Sequence, residues 1–196
     1  MKTLVKIAAV ACLSVIPLLA GARGQDKQDF TGEKPKYANL TFVPSADEVI
    51  DKMFELGKVN KNDVMFDLGC GDNRLCFKAA KKYGCKGIGI EINPVRVREA
   101  MDWAEKYNIG PGNMLVETRH GDALNVKDIS DATVVVMYMF PEFMNLWLPI
   151  AREKLKPGTR ILSHDYQFSD WEPDLTVTVK STTREHKVHM WTMKKK

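Results

Sequence analysis

Between residues 45 and 193 the apolar positions switch repeatedly between a helical and an extended period. Val49, Ile50, Met53, Phe54 and Leu56 recur at helical spacing and Gly57 closes the segment. Ahead of them stands Ser45-Ala46-Asp47-Glu48, a capping box in which serine and glutamate satisfy each other's free amides. Val64-Met65-Phe66-Asp67-Leu68 is a short apolar run stopped by Gly69, the pattern of a buried strand. A helix over 74–83 follows, then a second strand over Gly87 to Ile92. Asn93-Pro94 opens another helix, with proline where its missing N–H is not needed. Val97, Ala100, Met101 and Ala104 form the inward face of that helix, and Asn108 to Gly112 end it.

Met114 to Thr118 and Ala132 to Met139 read as the third and fourth strands, the latter almost wholly apolar as a central parallel strand is. A helix from Glu142 to Leu155, bent at Pro149, leads through Pro157-Gly158 into a fifth strand, Thr159 to Ser163. Leu175 to Lys180 and Lys187 to Met193 have no helix between them and alternate as an antiparallel pair. The pattern predicts an α/β fold, a Rossmann-like seven-stranded sheet with helices on both faces and a C-terminal antiparallel hairpin. No repeat or composition break divides residues 37–193, so 37–196 reads as one domain.

The amino-terminal stretch follows a different rule. Lys2 and Lys6 precede an apolar run from Ile7 to Ala20, then Ala20-Gly21-Ala22 and polar Arg23-Gly24-Gln25-Asp26. Charged, apolar and small-residue parts in that order make residues 1–22 a secretory signal peptide, with 23–36 a flexible lead-in. The run is shorter than the roughly 18 residues of a membrane span. The expected location is periplasmic or secreted; uncleaved, the segment would anchor the chain at a membrane or address it to an organelle.

Composition narrows the partners. With 44% hydrophobic and 28% charged residues, the 196-residue chain is globular and not disordered. Its net charge of +4 includes Lys2, Lys6 and the Lys194-Lys195-Lys196 tail, so no nucleic acid is expected as a partner. Cys12 lies in the signal. Cys70, Cys76 and Cys85 have no C-x-x-C spacing, which predicts buried or loop thiols and no metal site. With export, one Cys76–Cys85 or Cys70–Cys85 bridge stays open.

The chemistry sits in Asp67-Leu68-Gly69-Cys70-Gly71-Asp72-Asn73, between a strand and a helix at the edge where open α/β sheets bind ligands. Roughly 20 residues on, Glu91 ends the second strand, where a carboxylate accepts both hydroxyls of a ribose. Gly121-Asp122-Ala123 follows the third strand, where Asp accepts from an adenine amino group. Together these describe an adenosine-containing ligand. The dinucleotide pattern fails because Arg74 stands at the third glycine position. Acids at Asp67 and Asp72 also oppose a pyrophosphate and suit a ligand bearing an ammonium and a sulfonium.

These three motifs make the chain resemble the seven-strand S-adenosylmethionine-dependent methyltransferases over residues 37–193. Phe42-Val43-Pro44-Ser45, Gly71-Asp72-Asn73-Arg74, Glu91-Ile92-Asn93-Pro94, Pro157 to Ile161 and Trp171-Glu172-Pro173 bring it nearer one branch. That branch is the mitochondrial lysine methyltransferases of ATP synthase c-subunit and adenine nucleotide translocase, with their bacterial relatives. One position departs: Asn73 stands where that branch usually has glycine, which puts cofactor affinity in question.

The resemblance implies S-adenosyl-L-methionine as cofactor, bound by Asp67, Gly69, Cys70, Gly71, Glu91, Ile92, Asp122 and Ala123, and a protein lysine as acceptor. The acceptor would sit at Tyr138-Met139-Phe140-Pro141-Glu142, with the ring or hydroxyl of Tyr138 holding the amine and Glu142 or Asp165 orienting it or taking its proton. Core packing is the competing reading for Tyr138 and Met139. His164 and His120 read as hydrogen-bonded strand-end residues, and Trp171 as an anchor. A small-molecule methyltransferase and a non-catalytic adenosyl-ligand binding module are the alternatives.

Overall fold

The protein is described by a computed structural model that covers residues 41–107 and 115–195. Residues 1–22 and 23–36, read from the sequence as a signal peptide and a lead-in, lie outside these described residues, as do Asn108 to Gly112 and Met114. Seven strands form one sheet: β1 (Val64–Leu68), β2 (Lys86–Glu91), β3 (Val116–His120), β4 (Val134–Met137), β5 (Arg160–His164), β6 (Leu175–Lys180) and β7 (Glu185–Thr192). Their order is β3-β2-β1-β4-β5-β7-β6. The first five run parallel, and β7 pairs antiparallel with β5 on one side and β6 on the other.

The helices are α1 (Asp47–Leu56), α2 (Arg74–Tyr83), α3 (Pro94–Lys106) and α4 (Pro141–Lys154). Period-two alternation sends each strand's side chains to two cores. Met65, Val134, Val136, Leu162 and Val188 pack with α1 and α2. Phe66, Leu68, Val135, Met137, Ile161 and Trp191 pack with α4. Both layers therefore cover β4, whose four residues are all buried, and this is why its sequence is continuously apolar. In β2 the α2 side is glycine. A Cβ at Gly89 would overlap Asn73 Oδ1 and lie 2.6 Å from Cys70 Sγ, so its absence lets the start of α2 rest on the strand.

Several expectations are corrected. The capping box does not form: Ala46 is the N-cap of α1 without a side-chain bond, and Ser45 Oγ instead bonds His164 Nδ1 at 2.8 Å. A buried long-range partner has displaced a local one. On α3, Met101 is 64% exposed and Trp103 and Tyr107 take the inward stripe. Tyr107 stacks on Phe77 of α2 with centroids 6.1 Å apart, so large aromatic rings outcompete the methionine for the interface. β3 begins at Val116, after Leu115, and runs to His120 rather than stopping at Thr118. β4 stops at Met137, because its neighbour β1 turns away after Leu68 and leaves Tyr138 and Met139 nothing on that side to pair with. α4 runs from Pro141 to Lys154 with Pro149 inside it. Cys70, Cys76 and Cys85 are buried free thiols, so neither possible bridge forms.

Candidate active site

The carboxyl ends of β1 to β4 open into one cleft, on whose wall lie Gly69, Glu91, Ile92, Asp122, Ala123 and Tyr138. It straddles the point between β1 and β4 where strand order reverses, the place where such sheets leave a crevice. Met139 and Phe140 continue the wall, and Phe42 and Val43 from the segment before α1 close it.

The glycine loop is lashed to β2: the amides of Gly69 and Cys70 both donate to the Ile90 carbonyl, at 2.9 and 3.1 Å. Gly71 has φ +57, and its amide donates to Glu91 Oε2 at 2.8 Å. The Asn93 amide donates to Oε1 of the same carboxylate at 2.7 Å. Each Glu91 oxygen keeps a further acceptor site, and two backbone bonds fix the direction in which it is offered. A Cβ at Gly71 would overlap the Phe42 ring, so only glycine lets that ring cover the loop.

Asp67 is buried beneath the loop, off the cleft wall, and its Oδ2 has no hydrogen-bond partner. Burial, reinforced by the charges of Glu91 and Asp72, pushes its carboxyl up to about 8. Asp72 is neutralised by Arg74, whose Nε and Nη2 reach its two oxygens at 3.0 and 2.6 Å, so it adds less negative charge to the cleft than its position implied. Burial also pushes the Cys70 thiol up, leaving it an inert packing group. Asp122 caps the short turn Ala123–Asn125, accepting from the Leu124 amide at 2.9 Å, and stands on the cleft rim.

Asn73 adopts the left-handed backbone that its position requires, with φ 59. Its side-chain nitrogen donates to Thr118 Oγ1 at 2.8 Å and to the Glu117 carbonyl at 3.2 Å, tying the start of α2 to β3. Its side-chain oxygen Oδ1 is buried without a hydrogen-bond partner.

The opposite wall is aromatic. Tyr138, Phe140 and Tyr166 line it, with the Tyr166 ring centroid 5.9 Å from that of Tyr138 and 5.3 Å from that of Phe140. The Tyr138 ring stacks on His164 at 3.8 Å, and its hydroxyl donates to Asp165 Oδ2 at 3.3 Å. Burial and the charge of Asp165, opposed by Arg184, hold that hydroxyl above its ordinary range and therefore protonated. Asp165 lies behind Tyr138, off the cleft wall. Burial would raise its carboxyl, but hydrogen bonds from Arg184 and the Lys187 amide outweigh it and hold the group well below the usual range. Burial drives His164 down to about 4, so it is neutral. Glu142 is exposed in the first turn of α4, also off the wall.

Thus Gly69, Glu91, Ile92, Asp122, Ala123 and Tyr138 meet at one cavity, Asp67, Cys70, Gly71 and Asp165 support it from behind, and Glu142 stands aside. Asn93, Arg96, Tyr166 and Arg184 join the site without having been expected there from the sequence. Asn93 and Arg96 follow Glu91 within one turn of helix and were findable; Arg184 sits in a hairpin with no local sign of its destination. His120 contacts the Ile92 carbonyl at 3.1 Å, and the Trp171 carbonyl accepts from Trp191 Nε1 at 2.8 Å, both structural placements.

Comparison with known proteins adds a family model, the ANTKMT methyltransferase domain, that matches residues 67–175. A protein-lysine N-methyltransferase of Saccharolobus islandicus (strain REY15A) is 35% identical over 154 residues, covering 78% of this chain and 93% of that protein. The lysine N-methyltransferase of the ATP synthase c-subunit from Homo sapiens is 27% identical over 141 residues, and the match spans 69% of this chain and 55% of the human protein. Among solved structures, an RNA methyltransferase from Salinibacter ruber in complex with S-adenosyl-L-homocysteine is 40% identical with a TM-score of 0.72, covering 79% of this chain and 95% of that one.

Proposed function

The chain belongs to the ANTKMT methyltransferase domain family and is an S-adenosylmethionine-dependent methyltransferase, and we propose that its acceptor is the side-chain amine of a protein lysine. The residues fit that cofactor. Glu91 offers ribose hydroxyls the acceptor sites its two backbone partners leave free, and Asp122 with Ala123 stands ready for the base. Asp67, once ionised, adds negative charge beneath the loop for a cationic ligand. When bound, S-adenosylmethionine supplies a methyl group on a sulfonium, already a good leaving group.

The observation that carries the lysine reading is the aromatic wall facing Glu91 across the same cleft. Ring faces of Tyr138, Phe140 and Tyr166 attract an ammonium as it arrives. The same rings exclude water around the nitrogen, which favours the neutral amine needed for attack. The Tyr138 hydroxyl, held from behind by Asp165 and Arg184, aims the amine, and alignment is most of what the protein must contribute. Tyr138→Phe keeps the ring and removes the aim: kcat is expected to fall about 10- to 100-fold with cofactor affinity unchanged.

The Salinibacter ruber relative keeps an RNA acceptor as the second reading. Against it, Arg96 is the one base on the cleft wall among the described residues, beside Glu91 and Asp122. Tritiated methyl transfer to a lysate, followed by protease or ribonuclease and acid hydrolysis, separates the two. Label in methyl-lysine supports the proposal; label confined to RNA or to small molecules overturns it. We further propose that residues 1–22 export the chain, on the strength of their charged, apolar and small-residue order.

A further inference from the structure

Behind the aromatic wall, the ends of β5 and β7 gather a cluster that lies off the cleft wall. His164 Nε2 and His186 Nδ1 are 2.8 Å apart, and each lies 3.4 Å from Asp165 Oδ2. Two imidazole nitrogens and one carboxylate oxygen thus outline a triangle with sides of 2.8, 3.4 and 3.4 Å, whose short side is an imidazole–imidazole hydrogen bond that a metal would replace by displacing its proton. A tetrahedral ion bound at about 2.0–2.1 Å to each corner would set the corners about 3.3 Å apart.

The atoms that face away from the triangle are each held. Ser45 Oγ bonds His164 Nδ1 at 2.8 Å, and Ser181 Oγ bonds His186 Nε2 at 3.1 Å. The Lys187 amide donates to Asp165 Oδ1 at 3.0 Å. Outer bonds of this kind fix imidazole orientation and aim ligand lone pairs at a metal. Asp165 is also one of three non-glycine residues with positive φ among those described, at 63. A left-handed backbone at a residue other than glycine persists where its surroundings over-determine it, and such residues cluster at functional sites.

We propose that His164, Asp165 and His186 bind a zinc ion, joining β5 to β7 behind Tyr138. Two nitrogen donors and one carboxylate suit zinc, whereas magnesium and calcium take oxygen donors. The site adjoins a small cavity lined by Asp165, Thr178, Arg184 and Lys187, which leaves room for water as a fourth ligand. Arg184 is the competitor. Its Nη2 contacts Asp165 Oδ2 and reaches the Tyr138 hydroxyl at 3.3 Å, and its Nη1 donates to the Glu185 carbonyl at 2.9 Å; the side chain is half exposed, so the entering ion would have to turn Nη2 outward. The ion and the guanidinium therefore exclude each other at one carboxylate oxygen.

The test is zinc binding by the full, tag-free chain, titrated against a chromogenic chelator, with a readout independent of methyl transfer. One equivalent per chain at micromolar Kd or tighter is expected. Arg184→Ala removes the competing cation and should tighten binding about tenfold; Ser45→Ala loosens the outer shell and should weaken it about tenfold. His186→Gln should lose at least a hundredfold, and X-ray absorption should report nitrogen and oxygen ligands. Substoichiometric binding in both the wild type and Arg184→Ala, unchanged affinity in a folded His186→Gln, or sulfur ligation from the cysteines would overturn the proposal. Should His186→Gln not fold, the Arg184→Ala affinity and the absorption spectrum still decide.

Discussion

Glu91 does two jobs with one carboxylate. It closes the glycine loop through the Gly71 amide and the turn into α3 through the Asn93 amide, while its remaining lone pairs face the cleft. Glu91→Ala is therefore expected to abolish S-adenosylmethionine binding in calorimetry and to cost about 1–3 kcal/mol of stability from two orphaned amides. Unchanged affinity would remove the ribose assignment. Asp67 makes a prediction of opposite sign. Its folded carboxyl titrates near 8 and its unfolded one near the ordinary value of 3.8. Between those values the native chain holds a proton that the unfolded chain has lost, so stability falls as pH rises through the window and levels off above it. Urea unfolding at pH 5 and pH 8.5 should show this slope, and Asp67→Asn should flatten it. Cofactor affinity should rise across the same window in the wild type alone, because ionised Asp67 attracts a cation.

At the scale of elements, placement of the cleft depends on where strands stop and how closely α2 sits on the sheet. β4 releases Tyr138 into the cleft because β1 ends at Leu68, and β2 admits the start of α2 because Gly89 has no side chain. Gly89→Ala inserts a methyl between Asn73 and Cys70. It is expected to destabilise by about 1–3 kcal/mol and to weaken cofactor binding by moving the loop, measured by thermal unfolding and calorimetry on one sample. The bounds of β1, α2 and β6 match their sequence patterns, since apolar runs ended by glycine or turn residues are local signals. The capping box at Ser45 was overruled by a partner far away in the chain, which no local pattern contains, and the inward place of Met101 by Trp103 and by Tyr107, which stacks on Phe77.

For the whole molecule, the sheet brings two pieces of chemistry back to back: the adenosine-type cleft at the ends of β1 to β4, and the histidine–aspartate cluster where β7 returns beside β5. No helix among the described residues is long and apolar enough to cross a membrane. If residues 1–22 serve as proposed, amino-terminal sequencing of the protein from its native cell will read from Arg23; an intact Met1 would sink the export proposal.

The amino-acid sequence alone determined the α/β class, the glycine loop and the acids at successive strand ends. Each is written within a few residues, in alternation, in turn-forming glycines and in spacing from a strand's last apolar position. Only the tertiary structure decided that Ser45 serves His164, that Arg184 holds Asp165 behind Tyr138, and that His186 completes a three-atom cluster. Those contacts depend on the register of β5 against β7 and on the approach of the segment before α1, and a register exists only once distant strands have paired.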